Sequence, residues 1–279
     1  MPNDTYAILC PVDFSDLSSY ALRYAAKLAR CRQTRIVAFH TTWWEAPPYF
    51  TPARVATLQK EFREAMGEAE QILRQFVGRV LDADGVGVET RILEALPADG
   101  ILRTAAENRA SLIIMGTHGR SGWNRFTLGS VTERVLRESA VPVLTVRQAM
   151  EQPIRRILCP VSDTPESRHA LTLAAEYGAC LDATVTALHV RESLAAAAIP
   201  DLCAWIPATE RSRCSIREVV RQGNAAEEII KLAAEEHSDL LVIGAPRRRF
   251  FEGMLLGTTT IRTVRHAPCP VLTVSAAPA

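Results

Sequence analysis

The stretch Gly116–Ser130 reads GTHGRSGWNRFTLGS, with glycines at 116, 119, 122 and 129 and a serine directly after the last. A glycine ending a strand lets the backbone turn with positive φ and lets a ligand approach with no side chain in the way. Gly116 and Gly119 therefore suit a loop around a sugar or a first phosphate. Gly129 and Ser130 precede VTERVLRES, a helix pattern, so their amides fall at a helix N-terminus. There the unpaired N–H groups and the helix dipole favour an anion, and the Ser130 hydroxyl adds a donor. Arg120 and Arg125, inside the loop, are two cations that could face it. The chemistry implied is a phosphate cradle built mainly of backbone. It is neither GxGxxG nor the P-loop, since no lysine follows the glycines. The competing reading, turn-forming glycines with Ser130 as an ordinary cap, stays open for such glycines taken alone.

The chain writes this motif twice. Residues 244–258 read GAPRRRFFEGMLLGT, keeping the outer glycines but replacing Gly119 by Arg247, Gly122 by Phe250 and Ser130 by Thr258. ILCPVD at 8–13 returns as ILCPVS at 157–162, and the same offset carries Cys31 onto Cys180 and His40 onto His189. VPVLTV at 141–146 returns as CPVLTV at 269–274. The first offset is 149 and the second 128, so the second copy is 21 residues shorter in its middle. Such self-similarity predicts two domains, 1–150 and 151–279, joined near 147–153 (RQAMEQP).

Each copy alternates short apolar runs with amphipathic stretches. In the first copy strands are expected at 6–11, 35–40, 87–93, 112–116 and 141–146. Helices are expected over about 15–31, 52–81, 98–108 and 129–139. The second copy repeats the plan with its long second helix cut down. Strands separated by helices imply a parallel sheet covered on both faces, because crossovers are right-handed. The predicted fold class is α/β, two tandem Rossmann-like domains, each a five-stranded parallel sheet flanked by helices. Ligands of such sheets sit at the carboxyl ends of the strands. Asp13, His40, Thr41 and Gly116 all fall there.

Bulk composition narrows the function classes. At 48% hydrophobic and 23% charged residues the chain can build a core. With 32 basic and 31 acidic residues it lacks the surplus expected of a nucleic-acid binder. No run of about 18 apolar residues predicts a membrane span, and MPNDTYAILCPVDF lacks a secretory plan, so a cytoplasmic location is expected. None of the seven cysteines forms a CxxC pair. Reduced, mostly buried thiols are expected, with no metal site.

Other residues invite chemistry less strongly. His118 sits in the glycine loop, but no partner that would make it a general base is visible, so loop contact is the expectation. His40 and His189 end strands at matched positions and read as structural. No Ser–His–Asp or HExxH pattern appears, and no catalytic residue is assigned. RRR at 247–249 reads most simply as a solvated turn, with an anion partner left open. The aromatic segment TTWWEAPPYF at 41–50 reads as a loop packed on the core, or else as a lid or a subunit contact. LAAAAIPDLCAWIP at 194–207 is apolar and unassigned.

The pattern G-x2-G-x9-G-[ST], with the strand-one Asp13 and the closing PVLTV strand, resembles the universal stress protein (UspA-like) family, and the tandem form matches nearly the full length. The resemblance implies a sheet of adenine nucleotide alpha hydrolase type that holds ATP, with a divalent ion, Mg or Mn. It places Asp13 and Thr41 beside the adenosine, Gly116 and Gly119 along ribose and phosphates, and Gly129, Ser130 and Val131 on the phosphates. It also implies that the closing strands pair, here within one molecule as a pseudo-dimer, and it leaves a homodimer open. In the second copy Asp13 becomes Ser162, with Asp163 adjacent, and Gly119 becomes Arg247. Loss of ATP binding there is the expectation. Hydrolysis is at most slow. Alternatives of other classes are a nucleotide-independent scaffold or hydrophobic-ligand carrier, and an ATP-consuming enzyme.

Overall fold

The computed structural model describes residues 6–45, 47–81, 85–119, 128–149, 152–191, 205–206, 208–250 and 253–275. In the first repeat the order is β1 (Ala7–Pro11), α1 (Asp16–Arg32), β2 (Arg35–Thr42), α2 (Pro52–Leu81), β3 (Val88–Glu94), α3 (Pro97–Glu107), β4 (Ala110–Gly116), α4 (Ser130–Glu138) and β5 (Val143–Val146). The second repeat runs β6 (Arg156–Val161), α5 (Pro165–Leu181), β7 (Thr184–Arg191), α6 (Ala208–Arg211), β8 (Ile216–Gln222), α7 (Ala225–Glu235) and β9 (Leu240–Gly244). A hairpin follows, β10 (Arg247–Phe250) and β11 (Gly253–Leu256), then α8 (Thr258–His266) and β12 (Val271–Val274). The 21-residue deficit falls as expected: the 30-residue α2 is answered by the four-residue α6.

Ten strands form one sheet in the order β3-β2-β1-β4-β5-β12-β9-β6-β7-β8. Each repeat contributes five parallel strands, and the two sets meet antiparallel at β5 and β12. At this seam Leu144 faces Leu272, its own counterpart in the other repeat. Thr145 Oγ1 donates to the Val271 carbonyl and Thr273 Oγ1 to the Val143 carbonyl, both at 3.1 Å. Equivalent residues meeting themselves are the mark of a two-fold contact, here inside one chain.

The alternation of apolar residues along two-sided strands builds two core layers. One lies under α1, α2 and α5, the other under α3, α4, α7 and α8, and each draws residues from both repeats. The core is therefore continuous across the seam. Arg147, whose ordinary pKa is lowered by burial, ties the join to the second repeat by donating to the Val264 carbonyl at 2.6 Å.

Three expectations need correction. Arg247–Arg249 lie on a strand of the β10–β11 hairpin instead of a turn, because they pair antiparallel with 254–256. The cysteines are not all isolated thiols. Cys10, Cys159 and Cys269 are buried, but Cys31 and Cys180 are joined as a disulfide with Cα atoms 5.7 Å apart. Sequence spacing hid this pair because 149 residues separate its members and helix packing alone unites them. His189 is only half satisfied: its Nδ1 lies 3.3 Å from the Val161 carbonyl, while its buried Nε2 has no partner among the described residues.

Candidate functional site

Asp13 is positioned by the first turn of α1. Its Oδ1 accepts from the Ser15 amide at 3.1 Å and from the hydroxyls of Ser15 and Ser18. Its own amide donates to Ser18 Oγ at 2.9 Å, and Ser15 caps the helix by accepting from the Ser18 amide. The run DFSDLS thus spends two serines on fixing one carboxylate. From the sequence Ser15 or Asp16 is readable as the cap of this helix, but the hold of Ser15 and Ser18 on the Asp13 carboxylate is not.

At the other wall, Gly129 is the N-cap of α4 and offers no side-chain cap. In contrast Ser15, Thr164 and Asn224 cap α1, α5 and α7 through their side chains. The amides of Ser130, Val131 and Thr132 precede the first helical bond of α4, which runs from the Glu133 amide to the Gly129 carbonyl at 2.8 Å, and so have no intrahelical acceptor. Gly129 is held in place by donating to the Thr117 carbonyl at 2.8 Å, and Thr132 Oγ1 donates to the Gly116 carbonyl at 3.0 Å.

The glycines are required for space. Positive φ does not account for Gly116, Gly119 or Gly129, since none of them adopts it. A Cβ on Gly116 would come within 2.9 Å of Leu17 Cβ, and one on Gly119 within 2.9 Å of Asp13 Oδ2. On Gly129 it would press the His118 Cα at 3.3 Å and the Thr117 carbonyl at 3.4 Å.

These walls enclose a cavity of about 320 Å³ at the carboxyl ends of β1, β2 and β4. Asp13, Thr41, Gly116, Gly119, Gly129, Ser130 and Val131 all line it, so these seven residues meet in one place. Phe39, Pro97, Ile101 and Met115 supply an apolar side. His40 and His118 also line it: His40 Nδ1 lies 2.7 Å from the Val12 carbonyl, and His118 Nδ1 lies 3.1 Å from Thr117 Oγ1. Both are thus oriented by neighbours, as a structural or contact role requires. Gly122, Arg120 and Arg125 lie outside the described residues.

The second repeat has a cavity at the matching place, about 670 Å³, and its lining differs in kind. Ser162 stands for Asp13, Leu188 for Phe39, Val190 for Thr41 and Ile243 for Met115, and none of the lining residues described is charged. Asp163 does not substitute for the missing carboxylate: it pairs with Arg168 at 2.7 Å, turned away to solvent. Ser162 bonds Ser167 instead, at 3.0 Å. Although larger and lined by the hydroxyls of Ser162, Ser167 and Thr258–Thr260, this cavity has no carboxylate among its described lining residues.

The universal stress protein family model matches residues 6–147 and again 153–275. The chain belongs to the universal stress protein family. A universal stress protein of Mycolicibacterium smegmatis is 28% identical over 295 aligned residues, covering 96% of this chain and 97% of the relative. Universal stress protein MJ0531 of Methanocaldococcus jannaschii is 32% identical over 151 residues, 52% of this chain and 84% of its own length. A crystal structure of a universal stress protein from Archaeoglobus fulgidus superposes with a TM-score of 0.75 at 21% identity, covering 98% of this chain and 99% of that one. The tandem architecture is thus found in this universal stress protein along its whole length. No helix among the described residues is long and apolar enough to cross a membrane.

Of the remaining sequence expectations, the aromatic segment divides. Trp44 packs on Phe62 of α2, with ring centroids 6.3 Å apart, whereas Trp43 and Tyr49 are exposed. Residues 192–204 and 207 lie outside the described residues. Within the apolar segment that includes them, Ile206 is buried and Trp205 stacks under Arg168 at 4.6 Å.

Proposed function

We propose that this universal stress protein is a cytoplasmic, ATP-binding regulatory protein of the stress response. In this reading domain 1–150 holds the nucleotide and domain 151–279 is a partner that has lost it. The supporting observation is the convergence of a fixed carboxylate, a glycine-walled passage and an uncapped helix N-terminus on one cavity. The apolar side formed by Phe39, Ile101 and Met115 suits a flat base. Asp13, with Thr41 across the cavity, suits hydroxyls of a ribose, since an ionised carboxylate only accepts. The α4 amides with the Ser130 hydroxyl suit phosphate oxygens, which the helix dipole also favours. A side chain at Gly119 or Gly129 would narrow the path between these two ends.

Among the described residues there is no cluster of three or more His, Cys, Asp or Glu that would hold a metal. A divalent ion, Mg or Mn, would therefore be held mainly by the phosphates, with Ser130 and Asp13 the oxygen donors at hand. Among the described lining residues none has the paired geometry of a general base, and the chain is read as a binder that at most hydrolyses slowly. ATP would act by holding α1 and α4 in fixed relation across the glycine loop.

Isothermal titration of the full chain with ATP tests this. One saturable site per chain is expected, retained in Gly257→Glu and lost in Gly129→Glu with an unchanged circular dichroism spectrum. Absence of binding, or loss of binding only in Gly257→Glu, would overturn the assignment. The uncharged second cavity favours one further reading, carriage of a small apolar ligand there. An environment-sensitive apolar dye, displaced by filling the cavity with Ile229→Trp, would support it, and an unchanged dye signal would remove it.

A further inference from the structure

Cys31 and Cys180 occupy the same place in the two repeats, 149 residues apart, near the C-terminal ends of α1 and α5. These helices pack against each other on one face of the sheet, and Arg32 pairs with Glu176 and lies 5.8 Å over the Tyr177 ring beside the cysteines. A residue near the internal two-fold axis necessarily meets its own counterpart. A single cysteine in the repeat unit thus becomes an adjacent pair when the unit is doubled. The Cα separation of 5.7 Å lies within the range that a disulfide spans without backbone movement.

The other described cysteines are not available for the same chemistry. Burial pushes the thiols of Cys10 and Cys159 far up, Cys269 to about 12, and raises half-buried Cys214 as well. Thiolate is the reactive form, so these four are held back. Cys180 is exposed and Cys31 half-buried.

We infer that Cys31 and Cys180 form a reversible redox modification site, at which a low-molecular-weight disulfide such as oxidised glutathione covalently staples the two domains. The thiolate of exposed Cys180 attacks one sulfur of the small disulfide, which releases one small thiolate and leaves a mixed disulfide on Cys180. The Cys31 thiolate then attacks the Cys180 sulfur, forming the Cys31–Cys180 bond and expelling the second small thiolate. Two protein thiols are oxidised by two electrons, and one small disulfide is reduced to two thiols. The second step is intramolecular between sulfurs already in contact, so it outruns capture of a second glutathione. Because Cys180 is exposed, reduced glutathione reopens the bond by the reverse route. This site does not depend on nucleotide binding. It fixes α1 to α5 and so fixes the relation of the two repeats on the face opposite α4.

The test uses the reduced, folded full chain in buffers of graded oxidised-to-reduced glutathione ratio. Each sample is quenched in acid, alkylated, and mapped by mass spectrometry without reduction. The expected product is a linked Cys31–Cys180 peptide, two hydrogens lighter than its separate thiol peptides, rising in one step and vanishing in excess reduced glutathione. It should exceed the doubly glutathionylated form by roughly tenfold or more. Cys31→Ser should stop at a glutathione adduct on Cys180. Separate adducts on both cysteines with no link, a link to any other cysteine, or a link that persists in excess reduced glutathione would each overturn the proposal. Size-exclusion analysis of the oxidised sample separates an intramolecular link from one between chains, and the latter would also overturn it.

Discussion

The two cavities begin from the same architecture and diverge by a few side chains. Both lie where a strand ends in glycine, and both glycines are forced by close packing: Gly116 against Leu17, Gly244 against the backbone of Glu166 and Ser167 at 2.7 Å. Both adjoin a helix capped by glycine, at Gly129 and Gly257. They part at the carboxylate. In the first repeat the Gly119 backbone runs against Asp13, and in the second the corresponding sequence positions are Arg247 and Ser162. Losing the acid and gaining the arginine therefore read as one coupled change, since a Cβ at 119 would meet Asp13 Oδ2 at 2.9 Å. The last glycine has also relaxed. A Cβ at 257 would touch nothing nearer than 3.9 Å, whereas at 129 it meets backbone at 3.3 Å. The lesson is that a repeated cavity can keep its backbone framework while its lining changes in kind.

The largest effects concern what the halves share. Leu144→Ala and Leu272→Ala each remove a fully buried side chain at the seam, and each should cost about 2–5 kcal/mol of stability. Urea unfolding of the two variants should give matching losses. A marked inequality would break the two-fold description.

Next comes the contrast in ligand binding. Gly129→Glu should weaken ATP by roughly 100-fold, about 2.7 kcal/mol, through crowding and a carboxylate set against phosphate. Gly257→Glu should leave the affinity unchanged. Titration of both variants sharpens the assignment of nucleotide to one half.

The coupled change is open to a double-mutant cycle. Gly119→Arg alone should destabilise the first repeat, and adding Asp13→Ser should relieve part of that loss. A coupling of roughly 1 kcal/mol in thermal or urea unfolding is expected for residues in contact. Strict additivity would show that the two departures in the second repeat are independent. The smallest effect should come from Thr145→Val and Thr273→Val. Each deletes one seam hydrogen bond and should cost about 1 kcal/mol, again equally, as read from unfolding midpoints.

Much of this was legible beforehand because a repeated pattern constrains itself. The strands and helices of the first repeat fall within a few residues of where the apolar periodicity puts them, and α2 begins and ends at Pro52 and Leu81 as expected. Asp13, Thr41 and Gly129 were legible as neighbours because parallel sheets bring strand ends together. Ser15 and Ser18 were not, because their partner is a side chain and not a ladder. The hairpin at Arg247–Leu256 escaped notice because consecutive arginines give no strand alternation.

By itself the sequence determined the repeat, the parallel sheets and the glycine framework, since these follow from local periodicity and from the recurrence of glycine at matched positions. Only the tertiary structure decided that the glycines serve space and not positive φ, that Asp163 turns away to Arg168, and that Cys31 reaches Cys180. Those outcomes depend on how helices pack across long sequence separations. No local pattern encodes the distance between two side chains that only a closed core brings together.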